Sequence, residues 1–172
     1  MKHQDQDLKN EHKDLYLKDS PKDKKLISDL LDSQRSCVLA TCLDSQSYTS
    51  LMAYVHASDL KSIILATRRK TSKYRNISAN PRVALLIDNR QNKISDSDQA
   101  LALTVLGTAS EVRAQELEIL RDLFLKKHPQ LTDFLADPDC ALIEIQVERY
   151  VLVSSFEEVK VFQIPYDPNL QS

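Results

Sequence analysis

Glycine is almost absent from this chain: Gly107 is the single glycine among 172 residues. The Rossmann fingerprint G-x-G-x-x-G and the P-loop G-x-x-x-x-G-K-[ST] each need more than one glycine, because their backbones approach a phosphate closely. A Rossmann dinucleotide domain and a P-loop NTPase are therefore excluded. If the protein binds a phosphate, it does so with other chemistry.

Apolar residues occur in short runs separated by polar breaks, which is typical of β-strands joined by turns. In one run, Leu51, Ala53 and Val55 form a uniformly apolar face, and the other face carries groups that both pack and hydrogen-bond. Gly107 lies in the middle of the long run 100–112, where an interior glycine indicates a bulge or a bend. The runs predict seven strands, over residues 37–43, 48–57, 61–67, 82–88, 100–112, 140–153 and 159–164.

Helices are predicted between some of these strands. Ser20 can cap a helix that begins at Pro21 and extends to about residue 34. A short helix is predicted within residues 68–80 and a helical turn at 130–136. An amphipathic helix is predicted at 116–127, with an inward stripe of Leu117, Leu120, Leu123 and Phe124. The pattern predicts a mainly β fold with peripheral helices (α+β), a partly open barrel of six to seven largely antiparallel strands.

The chain length suits one domain. Residues 1–20 are mostly charged or amide side chains and predict a flexible segment, followed by a single domain over residues 21–172. The 23 basic and 25 acidic residues give a net charge of −2. That charge provides no general attraction to nucleic acid or membranes, so we expect neither partner. The first residues lack the apolar stretch of a secretory signal, so we expect a cytoplasmic protein.

Cysteine and histidine spacings indicate neither a disulfide framework nor a metal site. The three cysteines, Cys37, Cys42 and Cys140, are odd in number, lack a C-x-x-C pair and lie in apolar runs. We expect buried free thiols, which suits a reducing compartment. The four histidines show no metal-ligand spacing, so no metal is predicted.

The segment 67–73 concentrates four cations and three hydroxyl groups in the order Thr67-Arg68-Arg69-Lys70-Thr71-Ser72-Lys73. It follows a predicted buried strand and leads into a predicted helix. Hydroxyl donors, lysine charge and the free N–H groups of a helix start are what a phosphate requires. A charge run is also typical of a solvated surface turn. The segment on its own leaves both interpretations open.

Several segments occur in a recurring order: Ser50-Leu51-Met52-Ala53-Tyr54, then 63–67, then Thr71-Ser72-Lys73, then 76–87. Segments 38–41 and 103–109 lie upstream and downstream of them. In this order and spacing the chain resembles the pyridoxamine 5′-phosphate oxidase-like, FMN-binding split-barrel family. The resemblance covers residues 22–112 well and 140–164 loosely. It implies an FMN-binding split β-barrel and a homodimer with the cofactor at the subunit interface.

The resemblance also implies which residues contact FMN. One strand segment would line the flavin ring: Ser50, Leu51, Met52 and Ala53. Two residues would lie beside the ribityl phosphate, Ala66 and Thr67. Three would bind the phosphate itself: Thr71, Ser72 and Lys73, of which Lys73 is the best match. Arg69 and Lys70 are additional candidate cations without a firm counterpart in the family.

The chain also departs from the family pattern. Many true oxidases carry arginine at the position of Ser72, and glutamine at the position of Ala102. Their C-terminal substrate signature includes tryptophan and arginine, whereas this chain has no tryptophan and no arginine after Arg149. The resemblance therefore implies an FMN-binding, oxidoreductase-like protein that acts on an unidentified small molecule, with no catalytic residue assigned. The alternative functions are a haem-binding or haem-degrading split-barrel protein and a non-catalytic flavin-binding protein. The alternative cofactors are the deazaflavin F420 and haem.

Overall fold

The computed structural model describes residues 20–154 and 158–165. Apart from Ser20, the predicted flexible segment 1–20 therefore lies outside the described residues. The described part contains five α-helices: α1 (Pro21–Ser33), α2 (Ser72–Ala79), α3 (Asp96–Gln99), α4 (Leu117–Lys127) and α5 (Thr132–Ala136). A 3₁₀ turn, Pro129–Leu131, precedes α5. The strands are β1 (Ser36–Leu43), β2 (Gln46–His56), β3 (Ser62–Arg68), β4 (Arg82–Asp88), β5 (Leu101–Glu111), β6 (Cys140–Ser154) and β7 (Glu158–Gln163).

All neighbouring strands are antiparallel, in the order β3-β2-β1-β4-β5-β6-β7. β3 also pairs with β6, from Ser62 opposite Gln146 to Arg68 opposite Cys140, and this pairing closes six strands into a barrel. β7 extends the sheet by pairing with the second half of β6. The predicted antiparallel barrel of six to seven strands with peripheral helices is confirmed.

Helix α1 packs against the barrel interior. Ile27, Leu30 and Leu31 are buried in the same cluster as the inward-facing residues of the strands. The Tyr54 hydroxyl donates a hydrogen bond to the Leu31 carbonyl at 2.8 Å, which ties β2 to the end of α1. The expected cap is formed by backbone alone: the Ser20 side chain makes no capping bond, while its carbonyl accepts the first helical bonds.

A second apolar cluster lies on the outer face of β2, β3 and β6, beneath α4 and α5. Phe124 is fully buried there, with Leu120 and Leu123 partly buried against it. Leu117, predicted to face inward, is instead 37% exposed. Glu116, the residue before it, lines a cavity together with Glu144, so the start of α4 lies beside open space.

Cys37 is buried in the barrel core, and burial raises the pKa of its thiol to about 12. All three cysteines are free, but Cys42 and Cys140 are only partly buried, contrary to the expectation. They lie close to strand ends, where less of the barrel covers them. In the described part of the chain, no helix is both long enough and apolar enough to cross a membrane.

Gly107 faces β6 at a point where the register between β5 and β6 shifts. A Cβ atom at this position would lie 2.3 Å from the Gln146 carbonyl oxygen and 2.9 Å from Cγ2 of Ile145. The first distance is far below van der Waals contact, and the obstructing atom belongs to the backbone of a paired strand. Gly107 therefore permits the close approach of β6, and the register shift at this residue agrees with the predicted bulge or bend.

We expect Gly107→Ala to destabilise the fold by about 3 kcal/mol, because β6 cannot retreat from the new methyl group without losing strand pairing. Ser110→Ala, at an exposed position of the same strand, is the control and should change stability by less than about 0.5 kcal/mol. Urea unfolding followed by circular dichroism measures both variants. Wild-type stability of Gly107→Ala would contradict the argument.

Candidate functional site

The barrel opens where β2 separates from β3. β2 pairs with β1 from Gln46 to Ala53, but with β3 only from Tyr54 to His56. Beyond that point, β3 continues alongside β6. Among the described residues, the edge of β2 that faces β3 therefore has no strand partner before Tyr54, which leaves backbone N–H and C=O groups there for a ligand.

A groove of about 340 Å³ lies at this opening. Three segments line it on the strand side: β2, the end of β3 and the start of α2. The helical side is formed by α4, the 3₁₀ turn and α5. The lining residues are Leu51, Met52, Ala53, Ala66, Thr67, Arg68, Thr71, Lys73, Phe124, Leu131 and Phe134.

Most of the sequence-predicted residues meet in this groove: Leu51, Met52, Ala53, Ala66, Thr67, Thr71 and Lys73. Four others do not line it: Ser50, Arg69, Lys70 and Ser72. Because side chains alternate along β2, Leu51 is 76% exposed, whereas Met52 is buried in the barrel core. Leu51 therefore offers its side chain to the groove, and Met52 is restricted largely to backbone contacts.

The helical wall of the groove was not identified from the sequence. Phe124, Leu131 and Phe134 lie more than fifty residues after the strands they face, and only packing brings them there. The apolar stripe around Phe124 was a signal for burial, but not for a ligand. Arg68 joins the two walls, since its guanidinium lies 5.6 Å from the Phe134 ring centre.

Hydroxyl groups organise the turn between β3 and α2. Thr71 is the N-cap of α2: its Oγ1 accepts a long hydrogen bond from the Tyr74 N–H at 3.4 Å and donates to the Arg68 carbonyl at 2.8 Å. Thr67 Oγ1 lies 3.1 Å from Thr71 Oγ1. Since the Thr71 proton already goes to Arg68, the Thr67 hydroxyl is the donor in this contact. Both hydroxyl protons are therefore already donated, and a phosphate bound here accepts a hydrogen bond from Thr67 or Thr71 only if one of these bonds breaks.

The basic residues of this segment divide into two groups by their partners. Arg68 pairs with Asp137 at 3.1 Å, and Arg69 pairs with Glu111. Lys70 Nζ lies 3.7 Å from an Asp139 carboxylate oxygen, a distance for an ion pair but too long for a hydrogen bond. These three cations therefore hold the turn to carboxylates on other segments.

Lys73 differs from its basic neighbours. It is half-buried in the groove lining, in the first turn of α2. Among residues 20–154 and 158–165, its ammonium group has no hydrogen bond and no ion pair. A cation without a carboxylate partner at the positive end of a helix is well placed to bind an anion.

A second cavity, of about 370 Å³, lies on the outer face of the sheet below the start of α4. Its lining includes the carboxylates of Glu116, Glu144 and Glu148. Burial, with the nearby charges of Glu116 and Asp59, raises the pKa of the Glu144 carboxyl above its ordinary value. None of the residues predicted to bind a cofactor lines this cavity, so the groove is the better candidate site.

Known proteins share both the sequence pattern and the fold. A curated relative, a pyridoxamine 5′-phosphate oxidase homolog of Schizosaccharomyces pombe, is 28% identical over 148 residues, covering 69% of this chain and 78% of the relative. A FAD-binding protein of Mesorhizobium loti matches with a TM-score of 0.62 at 18% identity, covering 74% of this chain and 90% of that one.

A haem-binding protein of Mycobacterium smegmatis matches with a TM-score of 0.71 at 15% identity, covering 86% of this chain. This chain spans 59% of the length of that protein. At such identities the structural likeness shows the fold alone. The sequence model of one family, described as pyridoxamine 5′-phosphate oxidase, matches residues 24–154, a range that contains every groove-lining residue. The chain belongs to the pyridoxamine 5′-phosphate oxidase family.

Proposed function

We propose that the groove binds FMN and that the protein is an FMN-dependent oxidoreductase acting on a small molecule. Lys73 carries this proposal, because it is a cation with no partner among the described residues, it lies at the start of a helix, and it lines a largely apolar groove. Membership of the family supports it.

The phosphate end of FMN fits the start of α2. The first N–H groups of a helix have no acceptor within the helix, and here the Thr71 hydroxyl takes one of them, that of Tyr74. The remaining N–H groups of the first turn and the Lys73 ammonium are the donors for a phosphate. Arg68 adds positive charge to the groove, although Asp137 partly offsets it.

The ring end of FMN fits the opening between β2 and β3. Leu51 and Ala53 offer apolar contact on one wall, and Phe124 and Phe134 offer it on the other. The unpaired edge of β2 supplies backbone donors and acceptors for the polar rim of a flavin. The described groove therefore provides both kinds of contact that an isoalloxazine ring requires.

FMN, when bound, supplies the redox chemistry, and the chain supplies binding and orientation. No carboxylate or imidazole occurs among the described residues that line the groove. The chain thus offers no dedicated general base there, and we assign no catalytic residue. Its apolar walls exclude water from the ring, and Lys73 fixes the phosphate end. Ser72 and Ala102 stand where the resemblance implies arginine and glutamine in true oxidases, which argues against pyridoxamine 5′-phosphate as the substrate.

The chemistry of the groove favours flavin over haem. Among the described groove-lining residues there is no histidine, cysteine or tyrosine, which are common axial ligands of haem iron. His56 is bonded to Asp32 at 2.9 Å, and His128 to the Tyr54 carbonyl at 2.8 Å. Met52, whose thioether is another ligand type, is buried in the barrel core.

Titration with FMN should quench flavin fluorescence and give a protein that keeps its yellow colour through gel filtration. Hemin added in the same way should give no shifted Soret band. We then expect NADH or NADPH to bleach the bound flavin, and oxygen to restore the colour. A Soret shift without flavin binding would favour the haem alternative, and a flavin that no donor reduces would favour a non-catalytic flavin-binding protein.

Lys73→Ala should weaken FMN binding by about 10- to 100-fold, the value of a hydrogen bond to a charged group. Binding of riboflavin, which lacks the phosphate, should not change. Lys70→Ala is the matched control, because Lys70 pairs with Asp139 and does not line the groove. Isothermal titration calorimetry with both ligands measures the effect. Equal FMN affinity of Lys73→Ala and Lys70→Ala would refute the phosphate assignment.

We also propose that a second copy of the chain completes the site, as in the homodimer that the family resemblance implies. Leu51 in the groove wall is 76% exposed, and Ile119 on α4 is 72% exposed. Burial of such side chains favours association. Light scattering coupled to gel filtration should give twice the 19.6 kDa of one chain. A mass of one chain for the FMN-bound protein would contradict the dimer.

A further inference from the structure

Glu111, the last residue of β5, connects Arg69 in the turn between β3 and α2 with Tyr74 in the first turn of α2. One oxygen of its carboxylate accepts a hydrogen bond from the Arg69 guanidinium. The other accepts a hydrogen bond from the Tyr74 hydroxyl at 2.5 Å. Glu111 itself does not line the groove, so it has no direct contact with a ligand bound there.

Arg69 extends this connection to a third segment. Its guanidinium donates to the carbonyls of Pro138 and Cys140 at 2.9 and 3.1 Å, and its backbone N–H donates to the Asp139 carbonyl at 2.9 Å. Glu111 therefore binds a side chain that is already fixed to the turn before β6. This arrangement gives Tyr74 a rigid anchor.

Tyr74 lies in the first turn of α2, next to Lys73. Helix α2 has only eight residues, and a helix this short has little stability of its own. Its later part is anchored by Asn76, whose side-chain amide donates to Thr41 Oγ1 at 3.0 Å. Its first turn is held by the Thr71 cap, by packing of the Tyr74 ring against the barrel core and by the Tyr74–Glu111 bond.

The Glu111 carboxylate is ionised at neutral pH. Partial burial alone would raise its pKa, but the hydrogen bonds from Arg69 and Tyr74 hold the pKa of the Glu111 carboxyl below its ordinary value. The bonds to Arg69 and Tyr74 are therefore charge-assisted, which makes them stronger than neutral hydrogen bonds.

We propose that Glu111 is a positioning residue for the cofactor phosphate: by holding Arg69 and Tyr74 together, it fixes the first turn of α2 and so the place of Lys73 in the groove. This inference rests on the proposed binding of FMN. A positioning role and a purely electrostatic role of Glu111 predict opposite changes in FMN affinity when its charge is removed. Removal of a negative charge near an anion site should by itself strengthen FMN binding, whereas loss of positioning should weaken it.

Glu111→Gln keeps the shape of the side chain and removes its charge. We expect FMN affinity to fall by about tenfold, as for loss of a charge-assisted hydrogen bond, with riboflavin affinity unchanged. Glu148→Gln is the matched control, because Glu148 also pairs with an arginine, Arg82 at 2.6 Å, but does not contact the turn. Unchanged or tighter FMN binding by Glu111→Gln, or parallel loss of FMN and riboflavin, would overturn the proposal.

Tyr74→Phe removes one hydrogen bond and keeps the ring, so it provides the test if Glu111→Gln does not fold. We expect weaker FMN binding and unchanged riboflavin binding. In the double variant Glu111→Gln with Tyr74→Phe, the fold-loss of FMN affinity should be smaller than the product of the two single fold-losses. FMN affinity equal to wild type in Tyr74→Phe would contradict a role of the Glu111 contact.

Hydrogen exchange of the ligand-free protein separates this inference from the proposed function. Backbone amides of residues 69–76 should exchange faster in Glu111→Gln than in wild type or Glu148→Gln. Faster exchange in a protein that binds no FMN would remove the proposed function and leave Glu111 as the anchor of the turn. Wild-type exchange in Glu111→Gln would overturn the positioning role whether or not FMN binds.

Discussion

The pairing of β3 with β6 is the constraint on which the other features of the site depend. β3 follows β6 over its whole length, while β2 follows β1, so β2 and β3 diverge after a short shared stretch. An unpaired strand edge exposes polar backbone groups, which proteins cover or use for binding. In this protein, α4 and α5 cover one side of the opening with Phe124 and Phe134, and the remaining space is the groove.

Charge at the groove is controlled by distant carboxylates. Arg68, Arg69 and Lys70 occupy consecutive positions, and each is paired with an acidic residue more than forty positions away. Isolated exposed ion pairs add little to stability, but these pairs decide in which direction each cation is held, and the Arg69–Glu111 pair belongs to a wider network that includes Tyr74. They leave Lys73 as the cation of this segment that faces the groove without a partner in the described chain.

The strands could be predicted because alternation and polar breaks are local signals, and each of the seven predicted strands has an observed counterpart. The resemblance also identified the strand side of the groove, since its residues lie within one continuous stretch. Sequence could not show that Arg69 and Lys70 are held away from the groove, because Glu111 and Asp139 belong to other elements. It also missed Phe134, whose place depends on packing over the barrel.

The one glycine of this chain does not belong to a glycine-rich phosphate loop; Gly107 lies within barrel strand β5, where it faces β6. The first half of β6 pairs with β3 and the second half with β7, and the change occurs at residues 147–148, opposite Gly107. A side chain at Gly107 would collide with the Gln146 carbonyl and keep β6 from this path. On one side of this point β6 closes the barrel against β3, and on the other side it pairs with β7, so the close approach at Gly107 lies where the two pairings meet. The single glycine thus acts at a distance from the groove, through the barrel closure that determines where the groove opens.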